Sequence, residues 1–457
     1  MKGRDWFRVH SWIGVVAGLL LFVICWSGTV ATVSHEIDWL LNPAQRVGAI
    51  ATDTPRASWG QLQATVQQTH PDAQIEWMHA PRHARFAAEV VVKTPQAQRL
   101  RLYLHPVTAE FQGHSTFFNV QRFFRSLHMG LFLPYPISTY LVCAFGLLLL
   151  ISTLAPLWFY KRWWTRFFRL RLGRSLRTAW SELHKLGGLW SLWFGLLIAL
   201  TGIWYLIEQA SIDLADAQFV YPPSPEWRVP AGAERLPLDR LAERAAAFRP
   251  DLDVHSISFG YSDSTQAVLF SGQAGHVLVR DRANKLFLDP VGGDIVFNQS
   301  ASNLGLLQRW VDTVDPLHFG DFGGLISQSI WFVFGLLLSG LCLTGAWLHA
   351  QRLAREARSR QRAHWPGTAA AVLVSLAVLV ASAAGGWKEI QRYGATVNGH
   401  TLWPEVPLTV SLFLAAWVLV TLATLAFWTR LLQRPPAAPP RTPPSRRRTR
   451  SIEAAAG

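Results

Sequence analysis

Two stretches decide how this chain folds: HSWIGVVAGLLLFVICWSG, residues 10–28, and HKLGGLWSLWFGLLIALTG, residues 184–202. Each opens on a histidine (His10, His184), has a glycine four residues later (Gly14, Gly188), and closes on a small hydroxyl residue and glycine (Ser27-Gly28, Thr201-Gly202). About 20 apolar residues in a helix cross a bilayer core, so each stretch reads as a membrane span. A second pair of motifs, Leu127-His128-Met129-Gly130 and Leu317-His318-Phe319-Gly320, precedes two further apolar runs. The chain therefore carries one unit twice: a span, an extramembrane segment and a second span.

Extending the search gives six spans, approximately Trp12–Ser34, Ile137–Tyr160, Leu186–Ile207, Leu325–His349, Thr368–Gly386 and Val406–Arg430. The composition agrees, with 50% hydrophobic and only 16% charged residues, against about a quarter charged in soluble chains. This excludes a purely cytosolic, secreted or disordered protein. The first span follows Lys2, Arg4 and Arg8 like a signal peptide, but its apolar stretch is too long and no convincing cleavage site follows, so it reads as a retained anchor. The net charge of +14 sits largely in loops. Tyr160–Trp180 holds seven basic residues and no acidic one; QRLAREARSRQR follows span four, and SRRRTR lies in the tail. By the positive-inside rule these segments and both termini are cytoplasmic, and no nucleic-acid partner is implied. Cys25, Cys143 and Cys342 lie inside apolar runs, with no CxxC pair and no CxxCH haem-attachment motif.

The outer segments repeat as well. Ser58–Thr69 reads as a helix with Ser58 and Gln61 as a capping box, and Leu238–Phe248 is its counterpart. Alternating strands follow, such as Phe86–Val92 and Ala267–Ser271, and each segment then runs into a Pro turn, LYLHPVTAEF from Leu102 and LFLDPVGGDI from Leu286.

The turns and the paired His-led spans resemble the PepSY-associated transmembrane family of iron-regulated inner-membrane proteins, which includes ferric-siderophore reductases. The resemblance covers roughly residues 4–352, with His105 where the turn pattern has Asp and Ala109 where it has Gly. It implies a polytopic α-helical membrane protein with a four-helix haem-binding core and two small periplasmic α+β PepSY-like domains. The expected layout is span one in 1–35, a first PepSY-like domain in 36–120, span two in 121–160 and a basic cytoplasmic loop in 161–185. Span three follows in 186–207, the second domain in 208–322 and span four in 323–350. A loop then fills 351–367, spans five and six occupy 368–430, and a disordered basic Pro-rich tail fills 431–457. Spans five and six stand outside the repeat and receive no role from it.

One histidine near a span end is often a polar anchor; four at repeated positions call for a common explanation. His10 and His184 occupy the cytoplasmic ends of spans one and three, and His128 and His318 the outer ends of spans two and four. Two axial histidines on different helices are what a b-type haem in a helical bundle requires, so two haems are expected, one per membrane face. Gly14 and Gly188, one turn after their histidines, leave room for a flat macrocycle. Close helix packing is the plainer role of such glycines. Arg8, Arg177 and Lys185 inside, and Arg122 and Arg125 outside, are candidates for the haem propionates. His35 and His349 are rival ligands without a repeat partner, and Asp315 is either an acceptor for His318 or a helix cap.

The process implied by the resemblance is reduction of a ferric siderophore at the periplasmic face of a bacterial inner membrane. No GxGxxG, P-loop, HExxH or serine elbow occurs. No cytoplasmic segment is long enough to enclose a flavin or nicotinamide, so the donor is a separate reductase, free reduced flavin or a membrane quinol. Trp77, His79, Arg82, His83 and Arg85 form a basic, aromatic stretch that an anionic chelate could meet, or an ordinary strand edge. With Met78, its two histidines offer a copper alternative. A further alternative is a non-enzymatic PepSY membrane protein binding a periplasmic partner.

Overall fold

The computed structural model describes residues 2–433 except 52, 171–174, 217–223, 263, 276–277 and 360–367. The tail expected to be disordered from Arg434 lies outside the described residues. The first half runs α1 (Gly3–Val16), α2 (Gly18–Ala31), α3 (Ser34–Leu41), α4 (Trp59–Thr69), β1 (Gln74–His79), β2 (Ala88–Lys93), β3 (Arg99–Leu104), β4 (Phe111–Thr116), α5 (Val120–Gly130), α6 (Ile137–Leu154) and α7 (Pro156–Phe159). The second repeats it as α8 (Leu176–Trp190), α9 (Leu192–Ala215), α10 (Leu238–Phe248), β5 (Leu252–Ser258), β6 (Val268–Ala274), β7 (Lys285–Leu288), β8 (Ile295–Gln299), α11 (Leu306–Phe319) and α12 (Gly324–Ser359). The chain then adds α13 (Thr368–Gln391), a small hairpin of β9 (Thr396–Val397) and β10 (His400–Thr401), and α14 (Leu408–Gln433).

Among the described residues five helices are long and apolar enough to cross a membrane, and α1 with α2 makes a sixth if the bent pair is one span. The bend is 71° and falls at Ala17, between Gly14 and Gly18. Glycine weakens a helix, and sharp kinks concentrate where small residues cluster. Span one is thus not the straight helix expected over Trp12–Ser34: His10 lies on a separate segment. Span three breaks in the same register, at Ser191, so the spanning helix begins at Leu192 and not at Leu186. The halves then exchange partners, α6 packing on α9 and α12 on α2. The glycines set the approach: a Cβ at Gly146 would lie 3.1 Å from Ile203 N, and one at Gly335 would lie 2.6 Å from Thr29 Oγ1.

The two α+β domains expected separately are one body. All eight strands form a single antiparallel sheet in the order β4-β3-β2-β1-β5-β6-β7-β8. The first strands of the halves join at its centre, where Met78 pairs with Ile257 and His79 with Ser256. One face is apolar (Met78, Val90, Leu102, Ile257, Phe270, Leu286) and buries itself under α4 and α10. These helices are stapled together: Asp239 at the start of α10 accepts hydrogen bonds from Ser58 Oγ (2.8 Å) and Gly60 N–H (2.7 Å). The expected capping box closes α4, with Gln61 N–H on Ser58 Oγ at 3.1 Å and Ser58 N–H on Gln61 Oε1 at 2.8 Å. The other face turns to the bundle, where Trp77 and Val91 join the core of the helices.

Spans five and six lie outside the repeat but inside the core. Val410, Leu414, Trp417, Thr421, Leu425 and Trp428 make a buried stripe along α14, and Trp417 meets Trp26 and Phe124. Glu389 of α13 accepts from Ser126 of α5 at 3.1 Å. Removing the chain after about Arg352 would strip this cover from α2 and α5. Trp417→Ala is accordingly expected to cost about 3–5 kcal/mol in denaturant unfolding of the detergent-solubilised protein, against about 0.5 kcal/mol for exposed Leu419→Ala. Equal effects would contradict a structural role for α14.

Candidate functional site

The repeated histidines meet in two pairs. The ring centres of His10 and His184 lie 6.4 Å apart, and those of His128 and His318 lie 6.0 Å apart. Each pair takes one histidine from each half: α1 and α8 build the pair far from the sheet, and α5 and α11 the pair on the sheet side. Each carrier is a helix of 11 to 15 residues set off from the spanning helices by a break in the chain. The start of α5 is fixed by Asp38, whose carboxylate accepts from Val120 N–H at 2.9 Å and Gln121 N–H at 3.0 Å. Burial pushes the Asp38 carboxyl up to about 7 despite those bonds.

Carbonyl acceptors fix the tautomer of two of the four rings, and threonine hydroxyls hold the other two at the same ring atom. His10 Nδ1 lies 2.9 Å from the Ser152 carbonyl, and His128 Nδ1 lies 2.9 Å from the Ile24 carbonyl. A carbonyl only accepts, so both rings carry their proton on Nδ1. His184 Nδ1 is 2.8 Å from Thr344 Oγ1, whose hydroxyl already donates to Gly340 O. His318 Nδ1 is 2.7 Å from Thr201 Oγ1, which donates to Leu197 O. With the hydroxyl proton on the helix carbonyl, each oxygen accepts from Nδ1–H, the tautomer that His10 and His128 adopt. All four histidines keep a neutral Nε2 with a free lone pair, the form that binds a metal while Nδ1–H fixes the ring's orientation.

The donor set fits haem. Two imidazoles bound head-on to one iron, with metal–nitrogen bonds of about 2 Å, hold their ring centres about 6 Å apart. Haem asks the protein for two axial ligands only. Among the described residues no group of three or more His, Cys, Asp or Glu is arranged to hold a bare metal ion. The two levels are separated by the stretch Trp331–Thr344 of α12, about 20 Å of helix, so they are two sites. A Cβ at Gly14 or Gly188 would meet nothing within 4 Å, so close helix packing does not explain these glycines, and the space beside His10 and His184 does. Gly28 is different: a Cβ there would fall 2.6 Å from His128 Cε1, so the glycine admits the ring itself.

The sequence matches the PepSY-associated TM region over residues 7–352. The chain belongs to the PepSY-associated transmembrane family. It is 28% identical over 256 residues to an uncharacterised protein of Pseudomonas aeruginosa, a match covering 52% of this chain and 65% of that relative. The matched region holds all four paired histidines, and α13 and α14 fall beyond it.

The remaining sequence candidates fall elsewhere. His349 Nδ1 accepts from the Arg352 guanidinium at 2.7 Å, so its proton sits on Nε2, the opposite tautomer to the four paired rings. His35 lies with Arg82, Arg101, Arg122 and Arg125 between sheet and bundle. Burial first, then those charges, hold its pKa well below the ordinary value. Asp315 is neither the partner of His318 nor a cap: inside α11 it accepts from Tyr205 Oη at 2.5 Å and pairs with Arg280. Met78 is fully buried on the helix-facing side of the sheet, opposite Trp77 and His79, which removes it from the copper alternative. His83 is 3.4 Å from Glu36, and Trp77 stacks on Phe117 beneath Arg99, so the stretch Trp77–Arg85 is divided among several contacts. Arg122 lies over the same Phe117 ring at 4.3 Å, and Lys185 pairs with Glu182. Sequence reasoning missed Ser152, Thr201 and Thr344. Thr201 and Thr344 carried the same signal, a hydroxyl directly before a glycine (Gly202, Gly345) in an apolar run, whereas Ser152 acts through its backbone carbonyl and carried none. Histidine-labelled, haem-free protein should show four Nδ1–H rings and one Nε2–H ring at His349 by nitrogen-15 NMR. Thr201→Val should release His318 alone. An Nε2–H tautomer at any of the four would contradict the site.

Proposed function

We propose that the chain is a di-haem b-type electron-transfer protein that carries electrons through a bacterial inner membrane to a ferric siderophore or similar chelate, releasing ferrous iron. The observation that carries this reading is the meeting of four repeated histidines in two pairs, each ring anchored through its Nδ1. Haem bound at each level supplies a one-electron iron couple. His128 and His318 would both be taken up in holding the sheet-side haem, so a chelate would dock beside that pair and receive its electron without being bound by those histidines. Arg82, Arg122 and Arg125 gather there around His35, beside an Arg101 already paired with Glu89, and their excess of positive charge favours an anionic ligand. Chelators built from hard oxygen donors hold the divalent ion less tightly, so reduction releases the metal. With the basic loops on the cytoplasmic side, the sheet is periplasmic and the His10–His184 level receives the electrons.

Purified protein should carry two non-covalent haems extractable into acid-acetone. His10→Ala or His184→Ala should remove one, and His128→Ala or His318→Ala the other. Dithionite-reduced protein should be reoxidised by a ferric siderophore with ferrous iron trapped by a chelator, and His318→Ala should abolish this. Reporter fusions at Gly113 and Gly275 should read as exported and one at Gly173, outside the described residues, as cytoplasmic. Absence of haem, or unchanged reoxidation in His318→Ala, would refute the reading.

A further inference from the structure

We propose that the broken start of α2 and Trp428 of α14 together form a binding site for the head group of a membrane quinone or quinol. Two independent features meet there. The first is the helix start itself. α2 begins at Gly18, inside the apolar bundle, with no side-chain cap, and Gly18, Leu19 and Leu20 are all buried. The first N–H groups of a helix have no intrahelical acceptor, and the helix dipole places partial positive charge at that end.

The second is a buried indole. Trp428 is 3% exposed and its Nε1–H has no hydrogen-bond partner. Its Cζ2, next but one to Nε1 around the ring, lies 3.3 Å from where a Cβ of Gly18 would stand. The edge that carries the N–H is thus laid against the start of α2. An indole nitrogen only donates, and a donor left unmatched in hydrocarbon is costly. Trp417, also without an acceptor, is a different case: it stands edge-to-face on Phe124 at 4.9 Å and can direct its N–H at aromatic faces.

The donors at the α2 start call for a ligand that brings acceptors and no charge. Leu19, Leu20, Leu425 and Trp428 belong to one buried apolar core, a setting that suits a flat ring bearing carbonyl oxygens and disfavours a carboxylate or phosphate. The arrangement exists on one half only, since the residue equivalent to Gly18 in the second half is Leu192. It also gives α14, which the repeat does not need, a chemical part.

Binding stands on this geometry alone; its part in the reaction rests on the proposed function. Gly18 lies on the same broken span as His10, about 12 Å along the helix. A quinol there would become the quinone by giving up two electrons and two protons. With two ferric ions as final acceptors, the products are two ferrous ions and two protons left on the far side from the sheet.

The test uses the full chain in mild detergent. Isoprenoid quinone and phospholipid co-purifying with it are extracted and quantified per chain by mass spectrometry, and added decylubiquinone is titrated by calorimetry. Near-stoichiometric quinone is expected, with decylubiquinone affinity at least tenfold weaker in Trp428→Phe, which keeps the ring and loses the donor. Gly18→Ala should weaken it too, and Trp417→Phe should not. His184→Ala, which removes a proposed haem ligand, should bind quinone normally, so failure of the haem reading is distinguishable from failure of this one. Unchanged affinity in Trp428→Phe, or phospholipid without quinone, would overturn the proposal.

Discussion

Four hydrogen bonds from histidine Nδ1 organise the middle of this molecule, and each is made within one half of the repeat. His10 is held by Ser152, His128 by Ile24, His184 by Thr344 and His318 by Thr201. Each half thus orients its own two rings, and the rings pair only when the halves face each other. The exchange of spans, α6 on α9 and α12 on α2, supplies that facing and depends on glycine at the close approaches. A change that slides one half past the other would separate both pairs at once.

The sheet applies the same constraint from outside the bundle. β1 and β5 join the halves through a central antiparallel pairing, and Asp239 of one half caps α4 of the other. A shift of one residue in that pairing would turn Met78 and Ile257 out of the apolar core, so the register is strongly specified. The carriers α5 and α11 follow directly from the last strand of each half, which ties the sheet-side histidines to the sheet's geometry.

Much of this was legible in the sequence because a repeat doubles each signal. The paired histidines, the spans, the capping box at Ser58 and the strand–Pro turns were all readable from residue type and spacing. Tertiary geometry was not. The separation of the α+β units into two domains failed because edge pairing of β1 with β5 leaves no mark in local composition. The kink at Ala17 was hidden because Gly14 and Gly18 also suit straight, closely packed helices. Met78 looked available beside two histidines, but alternation along a strand sends it to the opposite face. α13 and α14 received no role because they stand outside the repeat, yet aromatic packing makes them part of the core.

The central claim is that histidines from opposite halves share two separate haem irons. Low-temperature electron paramagnetic resonance of the oxidised, purified protein tests it most directly. The account predicts two distinct low-spin ferric signals of bis-imidazole type, one lost with His184→Ala and the other with His318→Ala. A single signal, a high-spin centre in the unmodified protein, or loss of both signals with either substitution would contradict it.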